Sequence, residues 1–533
     1  MAKPKPRGSH LAVSFAIFAI LAQAALSETR MLQTAAPIRI ILESNAMDKK
    51  FVPGVEGYQK YIFSKQIITR VVKYYTLVLK VISPKQQQTK TKIAMDDGTE
   101  VPAGTFEADL FTVFYCYAKA DTTFASAAPQ DYDSTTGRPI SGSFNLNLNQ
   151  ITPSIANALA HYGTFVHEFY HILVLNIELY QYFINAQGTK IGLDNVMQTY
   201  TDSRGKQRTK YVLAGSKSIQ YIRDHLNDQT LNEILFEEGG GGGSAGSHWE
   251  YDFWPNDFMS ATDTMPSLLS KLSLGMAEDS GWFQVDYNYA EPLVYAKNSG
   301  ANFQDLATCP GARTPIPKGF CPASDQGKTF CGPDFRYKAT CSLDNTFNQN
   351  GCTFLAGSMY CSVPSDDYAD KSDPTVDLIG VSSRCVPGGK SGNVDTAFCG
   401  RITCNSDSTS ADIKFQGGVS CTCDASQSTM SCGTLTIKCP DLSVVCPTLD
   451  TNKSGCPNDC LGRGFCLGTV AGSMRCFCTF GFKGTDCSEI NTEELGQLSA
   501  GSLSVSAFSK LLRTSLSLFL LLFTSHSVFV TAL

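Results

Sequence analysis

The sequence predicts an α+β protein in two unequal parts, a cysteine-poor core followed by a disulfide-rich region of mostly β and loop structure. Three observations carry this reading. The 533 residues are 43% apolar and 17% charged, enough to bury more than one core and too apolar for disorder throughout. From residue 101 to about residue 290, helix-like and strand-like patterns alternate with a single cysteine, Cys116. The rest of the 21 cysteines fall between Cys309 and Cys487, a density that marks a disulfide scaffold made in an oxidising compartment. The formal charge of −6 comes without any basic run, which argues against nucleic acid as a partner.

At the start, Lys3, Lys5 and Arg7 precede an apolar run over residues 11–26 containing Ala22-Gln23-Ala24, the pattern of a cleaved signal peptide spanning residues 1–24. Residues 57–73 then read as a helix, 75–83 as a strand and 85–92 as a loop. Residues 111–117 read as a strand in which Cys116 is a small buried hydrophobe. Gly137-Arg138-Pro139 reads as a turn, and residues 143–149 alternate like an edge strand. Ile155, Leu159, Tyr162, Val166, Phe169 and Leu173 recur at spacings of four and three, the apolar stripe of an amphipathic helix. The glycine run at residues 239–243 is expected to be flexible unless neighbours pack around it.

The chemistry sits on that amphipathic helix. His167-Glu168-Phe169-Tyr170-His171 is an H-E-x-x-H motif. Four residues apart on a helix, His167 and His171 share a face and can reach one Zn2+ ion, while Glu168 can serve as general base towards a zinc-activated water. A catalytic zinc needs a third protein ligand. His161 and Glu178 lie too far along a continuous helix to share the ion, and His225 sits in a stretch that reads as a helix, residues 221–226, without chemical context. His248, just beyond the glycine run, is left as the third metal ligand, with Glu178 next in line.

These residues resemble the leishmanolysin-like surface metalloproteases, metzincins in which a long insertion separates the second and third histidines. The resemblance continues through Ser247-His248-Trp249-Glu250 and Asp257-Phe258-Met259-Ser260, where Met259 looks like the methionine of the Met-turn, and through Glu278-Asp279-Ser280-Gly281-Trp282-Phe283. Upstream, Thr136-Gly137-Arg138-Pro139-Ile140 and Gly142 are also similar to the family. Near the end, Cys456, Cys460, Cys466, Cys476, Cys478 and Cys487, with Gly481, Phe482 and Gly484, look like an epidermal-growth-factor-like module. That likeness implies pairing of first with third, second with fourth and fifth with sixth cysteine. Connectivity of the other cysteines, between Cys309 and Cys446, is not readable.

The resemblance implies a metzincin-type catalytic domain over residues 101–301 with a long insertion at 172–247. It is preceded by a pro-segment and N-terminal subdomain at 25–100 and followed by a cysteine-rich domain at 302–450, the growth-factor-like module at 456–487 and a spacer with hydrophobic tail at 488–533. The implied function is a cell-surface zinc endopeptidase acting on proteins and peptides, with contacts to host or other extracellular proteins through the cysteine-rich part. Two departures stand out. Metzincins carry glycine three residues after the second histidine, where this chain has Val174, a β-branched residue poorly suited to positive φ. The expectation is that the helix runs on past this point. No cysteine precedes Cys116, so a pro-segment thiol latch is missing. Val174 supports the alternative of a weakly active or inactive adhesion or coat protein on the same scaffold. Finally, residues 515–533 are uncharged, and Ser499-Ala500-Gly501 with the spacer 502–514 fits a glycosylphosphatidylinositol attachment signal, a retained membrane helix being the other choice.

Overall fold

The computed structural model describes residues 35–493 except 154, 203–204, 240–243, 263–266, 302, 306–307, 344–351, 363–370, 381, 391, 393–395, 427, 450–455, 457–459, 461–463, 468–474 and 479–480. The signal peptide and hydrophobic tail expected from the sequence lie outside the described residues. Among those described, no helix is long and apolar enough to cross a membrane.

Along the chain, the elements that position the site are β1 (Ala36–Pro37), β2 (Ile40–Glu43), α1 (Tyr58–Val78), β3 (Leu79–Val81), β4 (Leu110–Tyr117), β5 (Ala125–Tyr132), β6 (Pro139–Asn147) and α2 (Ile155–Leu173). There follow β7 (Met197–Thr201), β8 (Gln207–Tyr211), α3 (Lys217–Leu226), β9 (Ile234–Leu235), α4 (Lys271–Asp279) and β10 (Phe283–Val285). The main sheet has the order β2-β4-β6-β5; β4 runs parallel to β2 and β6, and β5 runs antiparallel to β6. A second small sheet, β1-β3-β10, ties residues 36–37 to the strand that follows α4. Residues 36–43 are thus structural members of two sheets.

Three expectations change here. Of the run at 143–149, residues 143–147 belong to β6, which lies between β4 and β5 and is no edge, and 148–149 enter a 3-10 turn; Phe144 and Leu146 are fully buried. Residues 75–78 stay helical, because Tyr75 and Val78 extend the buried face of α1 and the Tyr75 hydroxyl donates to the Val166 carbonyl of α2 at 2.7 Å. Gln88–Lys90, expected as loop, forms a short strand paired with Gly104–Phe106.

The sheet and α2 approach closely at Gly142, where a Cβ would come within 2.6 Å of the Ala128 carbonyl oxygen and 2.7 Å of Ile172 Cγ2. Glycine is required there for packing. The two outlying family motifs also meet: Trp282 donates through Nε1 to the Thr136 carbonyl at 3.0 Å, and the buried Arg138 guanidinium donates to the Asp109 carbonyl at 2.8 Å.

Between α2 and His248 the chain folds a sheet of its own, β7-β8-β9, packed by α3 against α4. Most of the glycine run, residues 240–243, lies outside the described residues, so the expectation of flexibility there does too; on either side of it Phe236 bridges Trp249, the Glu237 N–H donates to the His248 carbonyl at 2.9 Å, and the Gly246 N–H donates to the Glu237 carbonyl at 2.9 Å.

Beyond residue 300, the fourteen cysteines before the last six form seven bridges: Cys309–Cys352, Cys321–Cys341, Cys331–Cys385, Cys361–Cys399, Cys404–Cys446, Cys421–Cys432 and Cys423–Cys439. Cys385 and Cys399 face each other across two strands, so their bridges stitch a six-stranded sheet to the three-stranded sheet before it. Val386, Ile402, Ile413, Leu435 and Ile437 add an apolar core, so the region does not rest on bridges alone. Further on, Cys460–Cys476 and Cys478–Cys487 are paired, and Cys456 is also disulfide-bonded. Cys116 is free and buried, as expected of a small core residue.

Candidate metal centre

Helix α2 places the motif by burying its other face. Phe165, Val166, Phe169, Tyr170 and Ile172 are fully buried, and the Tyr75 ring of α1 stacks on Phe169 at 5.5 Å and on Tyr170 at 6.1 Å. This fixes the rotation of the helix and turns His167 and His171 to one side. The hairpin of the insertion brings His248 to the same point. The three Nε2 atoms stand 3.1 Å (His167 to His171), 3.2 Å (His171 to His248) and 3.0 Å (His248 to His167) apart. His171 and His248 are buried, whereas His167 and Glu168 keep part of their surface open.

Each ring is held by its other nitrogen. His167 Nδ1 lies 2.5 Å from the Phe258 carbonyl, His171 Nδ1 2.6 Å from the Leu175 carbonyl, and His248 Nδ1 2.9 Å from the Ser244 carbonyl. A carbonyl only accepts, so Nδ1 carries the proton in all three and every Nε2 presents a lone pair. Burial pushes His167 down to about 3, with the His171 charge adding to it, and His171 down to about 4; burial and the two neighbouring rings hold His248 far below its usual range. Three lone pairs aimed at one another at these distances repel unless a cation lies among them. The spacing suits one: nitrogens at roughly 2.0–2.1 Å from a tetrahedral zinc are about 3.3 Å apart. The residues present therefore fit a metal.

Glu168, one position around the helix, is raised to about 8 by burial, opposed by the backbone N–H of Ala127 on β5. Met259 is fully buried, donates its N–H to Asp257 at 2.8 Å and accepts from the Trp249 N–H at 3.1 Å. The candidates set aside in the sequence stand apart. His161 packs against Phe124 and Phe63, His225 donates to the Tyr295 carbonyl at 2.6 Å, and Glu178 is exposed.

Val174 is resolved differently from expectation. The helix does not run on; α2 ends at Leu173, and Val174 is not among the residues with positive φ. The N–H groups of Val174 and Leu175 both donate to the Tyr170 carbonyl, at 2.9 and 3.3 Å, which lets the chain leave the helix without a left-handed residue. Leu175 then turns its carbonyl back onto His171. Sequence reasoning missed these ring-holding carbonyls because a backbone group has no residue signature. It also missed Asp257, although it lies inside a quoted motif.

The sequence model of the leishmanolysin family, peptidase M8, matches residues 57–351. The chain is 28% identical over 288 residues to the leishmanolysin-like peptidase of Drosophila melanogaster, covering 47% of this chain and 42% of that one. It is 28% identical over 190 residues to the ciliated left-right organizer metallopeptidase of Mus musculus, covering 35% and 26%. It is also 23% identical over 314 residues to the leishmanolysin homolog of Crithidia fasciculata, covering 52% and 45%. The chain spans less than half the length of these relatives. The family match takes in more than half of the 533 residues and all three converging histidines, and on that ground the chain belongs to the leishmanolysin family of peptidases.

Proposed function

We propose that this chain is a cell-surface zinc endopeptidase. The observation that carries the reading is the convergence of three lone-pair-bearing Nε2 atoms, with the half-buried Glu168 carboxyl next to His167 on the same helix. His167, His171 and His248 would hold the ion. When bound, zinc supplies a Lewis acid that makes water nucleophilic at neutral pH and polarises the scissile carbonyl. Glu168 takes the proton from the attacking water on its carboxylate and delivers it to the leaving amide nitrogen. Burial favours its protonated form, whereas a dication nearby favours the carboxylate, so the group can serve in both directions near neutral pH. No strand pairs with the outer edge of β5 among the described residues, and Ala127 on that strand touches Glu168. An extended peptide laid along it would bring its carbonyl to the site.

Glu168→Gln tests this. The expected result is one zinc per chain retained, with casein cleavage reduced about 10²–10⁴-fold. Loss of zinc in the variant would make Glu168 a ligand, and undiminished cleavage would remove it from the chemistry. The alternative, a weakly active coat or adhesion protein, rested on Val174, which takes no strained conformation.

The finer assignments belong to the same proposal: Met259 as the Met-turn residue, a growth-factor-like module around Cys460–Cys476 and Cys478–Cys487, and attachment to the membrane by a lipid anchor. The anchor rests on the sequence alone.

A further inference from the structure

The three ring-holding carbonyls differ in origin. Leu175 follows directly from α2, and Ser244 lies in the same short excursion as His248, but Phe258 is 91 positions from His167. The orientation of His167 therefore depends on whatever fixes the loop at residues 257–259. That loop is pinned by Asp257, which is 2% exposed. Its Oδ1 accepts from the Met259 N–H at 2.8 Å and from the Ser273 hydroxyl, and its Oδ2 accepts from the Ser270 hydroxyl at 2.5 Å. Both serines lie at the start of α4, Ser270 as its cap.

The Ser273 hydroxyl, having given its hydrogen to Asp257, accepts from Trp249 Nε1 at 2.8 Å. Trp249 follows His248 directly, and its N–H also donates to the Met259 carbonyl. The Ser273 carbonyl accepts from the Tyr170 hydroxyl of α2 at 2.6 Å. One carboxylate thus orders a directional relay, Trp249 to Ser273 to Asp257, and through it joins α2, the loop that holds His167 and the segment that carries His248.

We propose that Asp257 is a positioning residue of the metal centre: it sets the relative placement of His167 and His248 through Phe258 and through Ser273 and Trp249, without touching the ion. This rests on the metal reading above. Partners of this kind, one bond removed from the ligands, typically change metal affinity by about 10–100-fold when lost.

The test is the zinc dissociation constant of the full chain, measured by competition with a chromophoric chelator, together with the visible spectrum of the cobalt(II)-loaded protein. Asp257→Ala should weaken zinc binding about 10–100-fold and shift the cobalt spectrum. Asp257→Asn, which keeps one accepting oxygen, should recover most of that loss. Asp109→Ala is the control: Asp109 is an equally buried carboxylate, bound by the Arg39 side chain beside β2, the edge of the main sheet opposite β5, and its loss should lower stability while leaving zinc affinity and spectrum unchanged. If Asp257→Ala does not fold, Trp249→Phe removes only the indole donor while keeping the ring stacked on Phe236, and should weaken zinc several-fold. Wild-type protein that takes up no zinc would overturn the metal reading and this inference together. Tight binding in wild type with unchanged affinity in Asp257→Ala, or in Trp249→Phe should the former not fold, would overturn this inference alone.

Discussion

Phe477 offers a sharp test of how the C-terminal bridges relate to the peptidase core. The residue sits between Cys476 and Cys478, which are bonded to Cys460 and Cys487. Its ring lies 5.4 Å from the Tyr162 ring of α2 and 6.3 Å, edge-on, from the Tyr74 ring of α1. Arg70 adds a weak donation to the Phe482 carbonyl at 3.5 Å. Two aromatic pairs contribute about 0.5–1.5 kcal/mol each beyond area burial, and removal of a half-buried ring forfeits about 1–2 kcal/mol more. Phe477→Ala should therefore weaken the docking of this segment by about 2–5 kcal/mol, or roughly 30–5,000-fold in its local equilibrium. Hydrogen exchange in peptides covering residues 475–490 should accelerate correspondingly, and Cys478–Cys487 should be reduced faster by a mild thiol. Zinc content should not change, because the histidines are held from the other side of α2. Exchange and reduction rates equal to wild type would refute the reasoning and leave the segment attached through some other contact. The outcome matters for function. A segment fixed on α2 cannot act as a freely swinging adhesive arm.

Gly137 has φ of 71°, and a Cβ there would lie 2.7 Å from Tyr182 Cβ, so Gly137→Ala should cost about 2–4 kcal/mol, seen as a lower urea midpoint. Burial lowers His225 to about 4, against which its bond to Tyr295 works, so the unfolded chain takes up a proton near pH 6.5 that the folded chain refuses. The contribution is present above pH 6.5 and is lost as pH falls to about 4, by up to about 3 kcal/mol. His225→Gln should flatten that acid limb when unfolding is followed between pH 7 and 4, and an unchanged slope would count against it. A chain beginning at Ala36 should fold, whereas one beginning at Asn45 lacks β1 and β2 and should be insoluble or rapidly proteolysed; normal folding of the shorter chain would mean that these strands are dispensable.

What the sequence made legible was local. The stripe from Ile155 to Leu173 has the period of a half-buried helix, and α2 occupies that span. The two helix histidines followed from it, and His248 followed from the scarcity of other ligands. Alternation over residues 143–149 suggested an edge because the polar positions read as solvent-facing. In the fold Asn147 is instead buried and donates to the Lys119 carbonyl at 3.0 Å and to Asp121 at 3.1 Å. Polar residues satisfied by neighbours within the fold look like exposed ones in a pattern. Residues 75–78 carry aromatic and β-branched side chains typical of strands, and packing against α2 overrode that propensity. The relay through Asp257 and Ser273 joins residues up to 103 positions apart, and no window on the sequence contains it.

The distance between the second and third histidines raises a question of free energy, and the fold answers it. His171 and His248 are 77 positions apart. Were the intervening chain a flexible loop, closing it would cost about 4 kcal/mol in entropy, drawn from metal binding. In the fold the intervening chain is not a flexible loop, because its own pairing and packing hold His248 near His171. Strands β7, β8 and β9 pair with one another, Tyr180, Phe236 and Trp249 stack in succession at 5.4 and 5.1 Å, and the Tyr180 hydroxyl donates to the Gly246 carbonyl at 2.8 Å. The pairing of Phe236 with Trp249 leaves only the residues between those two to be closed. Val174 then ceases to be anomalous. A glycine after the second histidine serves a chain that must reverse at once to deliver the third ligand. Here Val174 and Leu175 continue into the buried core, and the delivery of His248 is delegated to a folded insertion.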